Sequence, residues 1–180
     1  RERILDSAQT LVLRQGFAAT SVDEVIAASA SSKGAFFHHF PTKNHLGRAL
    51  LNRYAAADIA ALETFMARAE SLTDDPGEQV VAFVRLFEDI ADEIVVEHQQ
   101  SCLYASFAYD RQLTVDGSTQ VINGAIVTWR EAIRAKLAAA AERRPLAIDV
   151  DLDAIADHVF VTFEGAFILA RATGDNAHMR

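Results

Sequence analysis

A chain of 180 residues that is 51% hydrophobic is long enough to bury a sizeable core, and only three prolines and eight glycines interrupt it. Its single cysteine excludes an intramolecular disulfide and indicates a reducing cytoplasmic compartment, while no uncharged apolar run approaches the roughly 18 residues of a membrane helix. The net charge of −8 is divided unevenly along the chain. Residues 1–55 hold seven Lys and Arg against four Asp and Glu, a balance of +3 that leaves −11 on the remainder. This asymmetry predicts a basic, phosphate-binding surface at the amino-terminal end.

Two helices are predicted first. Apolar residues at helical spacing predict a helix over residues 2–15, with Gly16 as its C-terminal stop. Because the chain begins at Arg1 rather than at methionine, we expect that a preceding segment has been trimmed. Ser21 and Glu24 then form an S-x-x-E capping box, which starts a second, short helix.

A polar turn and a third helix come next. Residues 29–32 favour a turn, after which a helix begins at about Lys33 and is stopped by Pro41. Phe36 and Phe40 lie four residues apart and are expected to point into a core. The residues left on the opposite, exposed side are Lys33, Gly34, Phe37 and His38. Two short helices joined by a tight turn, with such a face on the second, predict a helix-turn-helix whose recognition helix enters the DNA major groove.

Three stretches of this region, residues 14–17, 20–22 and 32–43, resemble the DNA-binding domain of TetR/AcrR-type transcriptional regulators. The resemblance is dense over about the first 50 residues and looser afterwards. The chain departs from the family at Ala30, where glycine is usual in the turn, and we expect strain there. It departs again at Phe37, where the usual tyrosine would contribute a hydroxyl contact to phosphate.

The candidate DNA contacts lie on these two helices and their caps. Lys33 and Lys43 are expected to bind phosphates, and the recognition-helix face is expected to lie nearest the base edges. The predicted DNA-binding residues are Thr20, Ser21, Ser32, Lys33, Gly34, Ala35, Phe37, His38, His39, Thr42 and Lys43. The alternative to a DNA-binding motif is an ordinary pair of core helices joined by a polar turn.

Long helices are predicted for the rest of the chain. Thr42 starts one that runs to about Ala69. This helix joins the predicted DNA-binding part of the chain, here called the head (residues 1–45), to the larger remainder of the protein. Residues 75–78 (Asp-Pro-Gly-Glu) start another, whose apolar stripe continues to Ile94. A shorter helical piece opens at Cys102, and apolar stripes predict helices over residues 122–143 and 152–172. No strand alternation is present.

These elements predict an all-α fold. Residues 1–45 form a three-helix, homeodomain-like helix-turn-helix domain, and a long helix joins it to a helical ligand-binding and dimerisation domain in residues 46–180. The last helix is apolar nearly all round, so we expect a second subunit to cover it, and residues 163–166 resemble the family's dimerisation helix. The predicted dimer-interface residues are Ile122, Ile126, Phe160, Val161, Gly165, Ile168 and Leu169.

Aromatic residues are abundant in the second half of the chain. The family resemblance implies that these helices enclose an effector pocket, and the aromatics favour an apolar or aromatic small molecule. The predicted pocket residues are Phe65, Phe83, Phe87, Leu103, Tyr104, Phe107, Trp129, Ile133 and Phe163. Core packing is the alternative for each of them taken singly.

Cys102 permits a second interpretation, as a redox or electrophile sensor activated by His98 one helical turn away; the alternative is an inert packing residue.

No ligand cluster predicts a metal or cofactor. Asp149, Asp151 and Asp153 alternate as in a calcium loop, but the glycine and glutamate that such a loop requires are missing, so helix capping by Asp151 or Asp153 explains them better.

The sequence therefore predicts a ligand-responsive homodimeric repressor, not an enzyme, that binds a near-palindromic operator and is released by a small effector. The alternatives are a repressor that senses oxidants or electrophiles through Cys102, and a helical small-molecule-binding protein with a vestigial helix-turn-helix. The operator, the effector, the target genes and the choice between repression and activation do not follow from the sequence.

Overall fold

The computed structural model describes residues 1–89, 102–108 and 117–179, and the regular structure in these ranges is helical throughout. The helices are α1 (Glu2–Gln15), α2 (Val22–Ala28), α3 (Lys33–His39), α4 (Lys43–Leu72), α5 (Pro76–Asp89), α6 (Leu103–Ala108), α7 (Ser118–Arg143), α8 (Leu152–Thr173) and a short 3-10 helix, Asn176–Met179. The predicted all-α fold is confirmed. The predicted stripe residue Ile94 lies outside the described residues.

The local signals act as predicted at the helix ends. The Ser21 hydroxyl accepts from the Glu24 amide at 3.2 Å, and the Glu24 carboxylate accepts from the Ser21 amide at 2.7 Å, which completes the capping box. Asp151, rather than Asp153, caps α8, since its carboxylate accepts from the amides of residues 153 and 154. Helix α4 begins after Thr42 and continues to Leu72, one turn beyond the predicted end.

Two hydrophobic clusters hold the helices together. The first joins the amino-terminal helices to α6 and α7, and the second lies among α4, α5, α7 and α8. Phe36 is completely buried in the first cluster, a burial that stabilises the fold by about 1.5–3 kcal/mol. Phe40 is buried beside it, as the four-residue spacing predicts, so one side of α3 is fixed inward and the other faces solvent.

Polar contacts tie α1 to the rest of the molecule. The Arg53 guanidinium of α4 donates to Asp6 at 2.6 Å and to Gln9 at 2.8 Å. Near the other end of α1, the Arg171 guanidinium of α8 donates to the carbonyls of residues 13 and 14 at 2.8 Å each. These are carbonyls of the last turn, which lack partners within the helix, so α8 caps α1 from another part of the chain.

Candidate DNA-binding surface and effector cavity

The outward side of α3 is a continuous exposed face. Lys33, Gly34, Ala35, Phe37 and His38 are all exposed on it. The Phe37 ring leans edge-on against the buried Phe36, with ring centroids 5.2 Å apart, so its position on the surface is fixed by the core. A face of this kind fits the predicted approach to base edges.

The turn that orients α3 contains a strained residue. Ala30 has a φ of 48°, the one positive φ among the non-glycine residues that the structure describes. A side chain with a Cβ adopts this left-handed conformation at a cost, whereas glycine does not. The strain expected from the departure at position 30 is therefore present in the backbone.

The helix caps among the predicted DNA contacts are engaged as acceptors. The hydroxyls of Ser21, Ser32 and Thr42 each accept a hydrogen bond from a backbone amide three residues later. A serine hydroxyl that accepts in this way still carries a proton to donate, which suits a phosphate oxygen. The Thr42 hydroxyl also lies 2.8 Å from His45 Nδ1, so the same hydroxyl forms a second hydrogen bond with the imidazole ring. His39, the remaining candidate, is exposed at the end of α3.

Two predicted contacts are placed differently from the rest. Thr20 is only 3% exposed, and its hydroxyl donates to the carbonyl of Gly16 at 2.8 Å, so the proton that a phosphate contact would need is used within the protein. The Lys43 ammonium donates to the Ala18 carbonyl at 3.0 Å and lies 4.6 Å from the centroid of the Phe17 ring. Lys43 therefore fastens the start of α4 to the loop after α1, a structural role that its sequence position does not reveal.

A cavity of about 720 Å³ lies between the head and the larger helical domain. Its walls come from α1, α4, α5, α6, α7 and α8, and they include five of the predicted pocket residues: Phe65, Phe87, Tyr104, Trp129 and Phe163. The volume is that of a site for a drug-sized molecule, which supports the prediction of an effector pocket.

Four predicted pocket residues belong to the core instead. Phe83, Leu103, Phe107 and Ile133 are essentially inaccessible and do not line the cavity. Phe107 stacks on Phe17 with centroids 4.7 Å apart, on the side of α6 that faces the head. Aromatic content does not distinguish these residues from the lining ones, because the distinction depends on which helix each face meets.

Phe160 is a further correction. The sequence pattern assigns it to the dimer interface, but its ring lies 5.8 Å from that of Trp129 and it lines the cavity. The other apolar residues on the outer side of α8 are left uncovered, since Val161 is 63%, Ile168 56% and Leu169 49% exposed. Gly165 is half-buried, as are Ile122 and Ile126 of α7.

The carboxylates of Asp6, Asp58 and Glu164 lie in the cavity wall and are absent from the sequence-based prediction. Asp58 of α4 accepts hydrogen bonds on Oδ2 from the Tyr104 hydroxyl at 3.0 Å and from Trp129 Nε1 at 2.9 Å. Glu164 of α8 lies in the same wall, where burial raises the pKa of its carboxyl, the nearby Asp58 raises it further, and a hydrogen bond with Cys102 opposes the rise. Asp58 comes four residues after Tyr54, a spacing that is a usable signal for its inward position.

The surroundings of Cys102 disfavour a reactive thiolate. The side chain is buried, and burial together with the nearby Glu164 carboxylate raises the pKa of the thiol well above its usual range. A sensor cysteine needs the opposite shift. His98, the expected activating partner, lies outside the described residues.

The described ranges contain neither a group of metal-binding side chains nor a membrane-spanning helix. No three His, Cys, Asp or Glu side chains there are grouped so as to hold a metal ion. None of the helices in those ranges combines the length and the hydropathy needed to cross a bilayer.

Both parts of the chain match family models of known proteins. Residues 4–50 match the family model of the bacterial regulatory proteins of the tetR family, and residues 76–180 match that of the tetracyclin repressor-like C-terminal domain. The transcriptional regulator AcuR of Cereibacter sphaeroides is 27% identical over 160 residues, 87% of this chain and 69% of its own. The transcriptional repressor AcnR of Corynebacterium glutamicum is 25% identical over 177 residues, 97% of this chain and 82% of its own.

The fold is also that of a solved structure. The crystal structure of regulatory protein TetR from Rhodobacter sphaeroides superposes with a TM-score of 0.78 at 21% identity, covering 99% of this chain and 92% of that one. The family models, the relatives and the fold agree with the exposed recognition helix and the cavity. The chain therefore belongs to the TetR family of DNA-binding, ligand-responsive transcriptional regulators.

Proposed function

We propose that the chain is a homodimeric repressor that binds a near-palindromic operator through α3 and releases it when a small molecule with an apolar or aromatic body fills the cavity. In this proposal residues 1–45 form the DNA-binding domain, residues 46–180 form the effector-binding and dimerisation domain, and the protein acts in the cytoplasm. The relative AcnR, which aligns along 97% of this chain, carries the name of a repressor.

The observation that carries the proposal is the composition of the cavity wall. Asp6, Gln9, Thr10 and Leu13 of α1 line it together with residues of the larger helical domain. A molecule bound there would contact the head directly, so its binding energy depends on where the head lies. That differential affinity is what a ligand needs in order to shift a protein between two geometries.

The links between α1 and the body support the same mechanism. Arg53 holds α1 from α4, and Arg171 holds its C-terminal end from α8. Movement of either helix around a bound molecule would be transmitted to α1, which packs against α2 in the first hydrophobic cluster. The spacing of the two recognition helices in a dimer would change with it.

The exposed apolar residues of α8 support the dimer. Val161, Ile168 and Leu169 form an apolar surface that is exposed to solvent. A second copy of the same helix would bury it. Two recognition helices would then enter successive major grooves, about 34–36 Å apart for half-sites one helical turn apart.

The first experiment is the selection of bound duplexes from a randomised DNA pool at two salt concentrations. We expect a near-palindromic site whose affinity falls steeply as salt rises, because each phosphate contact releases a counterion. The variant Lys33→Ala should weaken binding to every sequence and reduce the salt slope by about 2 for the dimer. Arg68→Ala removes one exposed cation from α4 in the larger domain and should leave both quantities unchanged.

Recovery of no sequence at either salt would contradict the proposal and favour a ligand-binding protein with a vestigial helix-turn-helix. Equal effects of Lys33→Ala and Arg68→Ala would contradict the assignment of Lys33 as a phosphate contact. Lys43→Ala is a less direct test, because its ammonium also holds the loop at Ala18 and its loss would destabilise the head.

A further inference from the structure

The cavity is apolar over most of its wall but contains three acidic side chains, of which Asp6 is exposed at the solvent side and the other two come from the larger helical domain. Asp58 comes from the middle of α4 and Glu164 from the middle of α8. Placing a carboxylate in an apolar environment costs free energy, and a second carboxylate nearby adds repulsion. The rise in the pKa of Glu164, which results from burial and from the nearby Asp58, records this electrostatic cost.

Asp58 is held in a fixed orientation. The hydroxyl of Tyr104 and the indole N–H of Trp129 both donate to its Oδ2 atom. Tyr104 is itself packed edge-on against Tyr54, with ring centroids 5.0 Å apart. Asp58 is therefore positioned by aromatic groups that line the same cavity, as a preorganised binding group would be.

The cation in the same wall has acidic and polar partners of its own. Arg53 donates to Asp6 at 2.6 Å and to Gln9 at 2.8 Å, and Glu2 lies 3.6 Å from its guanidinium. Asp6 and Glu2 are both exposed, so this group of charges is at the solvent side of the cavity. An anionic ligand would have to compete with these carboxylates for Arg53 and would meet Asp58 and Glu164 further in.

Aromatic rings complete the environment. Phe87 lies at the centre of a group of rings, with its centroid 4.7 Å from those of Phe65 and Phe163 and 5.6 Å from that of Trp129. Phe160 packs against Trp129 on the side of α8. The faces of such rings attract a cation through their quadrupoles, most strongly where water is excluded.

We propose that the effector is an organic cation with an aryl or other apolar body, whose positive charge is bound by Asp58 and Glu164 while the aromatic rings pack around its body. This inference rests on the proposed function in one respect, namely that the cavity is the effector site. It replaces a general apolar ligand by one of defined charge.

The test uses three small probes of matched shape and different charge, titrated into the full chain without DNA. Benzyltrimethylammonium is the cation, neopentylbenzene is its neutral isostere, and phenylmethanesulfonate is an anion of similar size. Trp129 is the only tryptophan of the chain and lines the cavity, so its fluorescence reports binding at this site. We expect the cation to bind at least about tenfold more tightly than the neutral isostere, and the anion to bind most weakly.

Isosteric amides provide the matched variants. Glu164→Gln and Asp58→Asn should each reduce the preference for the cation over the neutral isostere by about tenfold, with little change for the neutral probe. The amide introduced by Asp58→Asn would keep an oxygen that accepts from Tyr104 and Trp129, so the cavity should stay intact in that variant. Glu63→Gln removes an exposed carboxylate of α4 outside the cavity and should change nothing.

Tighter binding of the neutral or the anionic probe would overturn the inference, as would a cation preference that survives both cavity variants. No fluorescence response to any probe, up to the solubility of each, would also overturn it. These outcomes are separate from a failure of the proposed function, which would appear as the absence of sequence-selective DNA binding in protein that was given no probe.

Discussion

Replacement of Ala30 by glycine should stabilise the protein, although it removes a side chain. Ala30 is an exposed residue of the turn between α2 and α3 with a φ of 48°, where a Cβ costs about 1–2 kcal/mol. Its backbone N–H donates to the carbonyl of Ala27 at 3.1 Å, a bond that glycine keeps. Glycine also makes the unfolded chain more flexible, which offsets about 0.4–1 kcal/mol. The expected net gain is about 0.5–1 kcal/mol.

The chain offers the reverse substitution as a control. Gly174, after α8, has a φ of 72°, and a Cβ added there would meet no atom within 4 Å. Gly174→Ala therefore changes the backbone preference alone and should cost about as much as Ala30→Gly gains. Two substitutions of opposite sign at similar φ test the conformational argument independently of packing.

Urea unfolding at a fixed protein concentration measures both effects, because the stability of a dimer depends on concentration. The midpoint should rise for Ala30→Gly and fall for Gly174→Ala, with unchanged slopes; in thermal melts about 1 kcal/mol corresponds to about 2–4 °C for a chain of this size. A loss of stability in Ala30→Gly, alongside the expected loss in Gly174→Ala, would refute the left-handed turn. The operator selected by Ala30→Gly should be that of the parent protein.

Two further predictions concern Glu164 and the outer side of α8. Because burial raises the pKa of Glu164, ionisation of this carboxyl destabilises the folded state as pH rises through the raised pKa. Glu164→Gln should therefore raise the Tm of the ligand-free protein at pH 7–8. The gain in Tm should disappear below the ordinary glutamate pKa of 4.5, where the carboxyl is protonated in both states. A Tm gain that stays constant down to pH 4 would contradict this explanation. Replacing Val161 and Ile168 together by aspartate should convert the dimer to monomers in sedimentation velocity, whereas Ile148→Asp, at an exposed loop residue, should leave the dimer intact. Dimers that persist in the double variant would place the interface elsewhere.

The DNA-binding head is predictable because its signals are local. The capping box of Ser21 and Glu24, the polar turn and the four-residue spacing of Phe36 and Phe40 all act within one or two helical turns. The strain at position 30 is predictable from the family resemblance, in which glycine is usual there, rather than from the residues of the turn alone. The local pattern does not disclose that Thr20 and Lys43 use their polar groups within the head.

The cavity was decided by tertiary structure. An aromatic residue on an apolar stripe is equally suited to a core and to a cavity wall, and the neighbouring helix determines which it becomes, as Phe107 and Phe163 illustrate. Asp58 meets its donors Tyr104 and Trp129 across 46 and 71 residues of sequence. Sequence periodicity gives the inward face of each helix, but the position of a charge relative to groups on other helices depends on how those helices pack. The helical fold and the recognition helix therefore followed from short-range spacing, whereas the charge inside the cavity required the packed molecule.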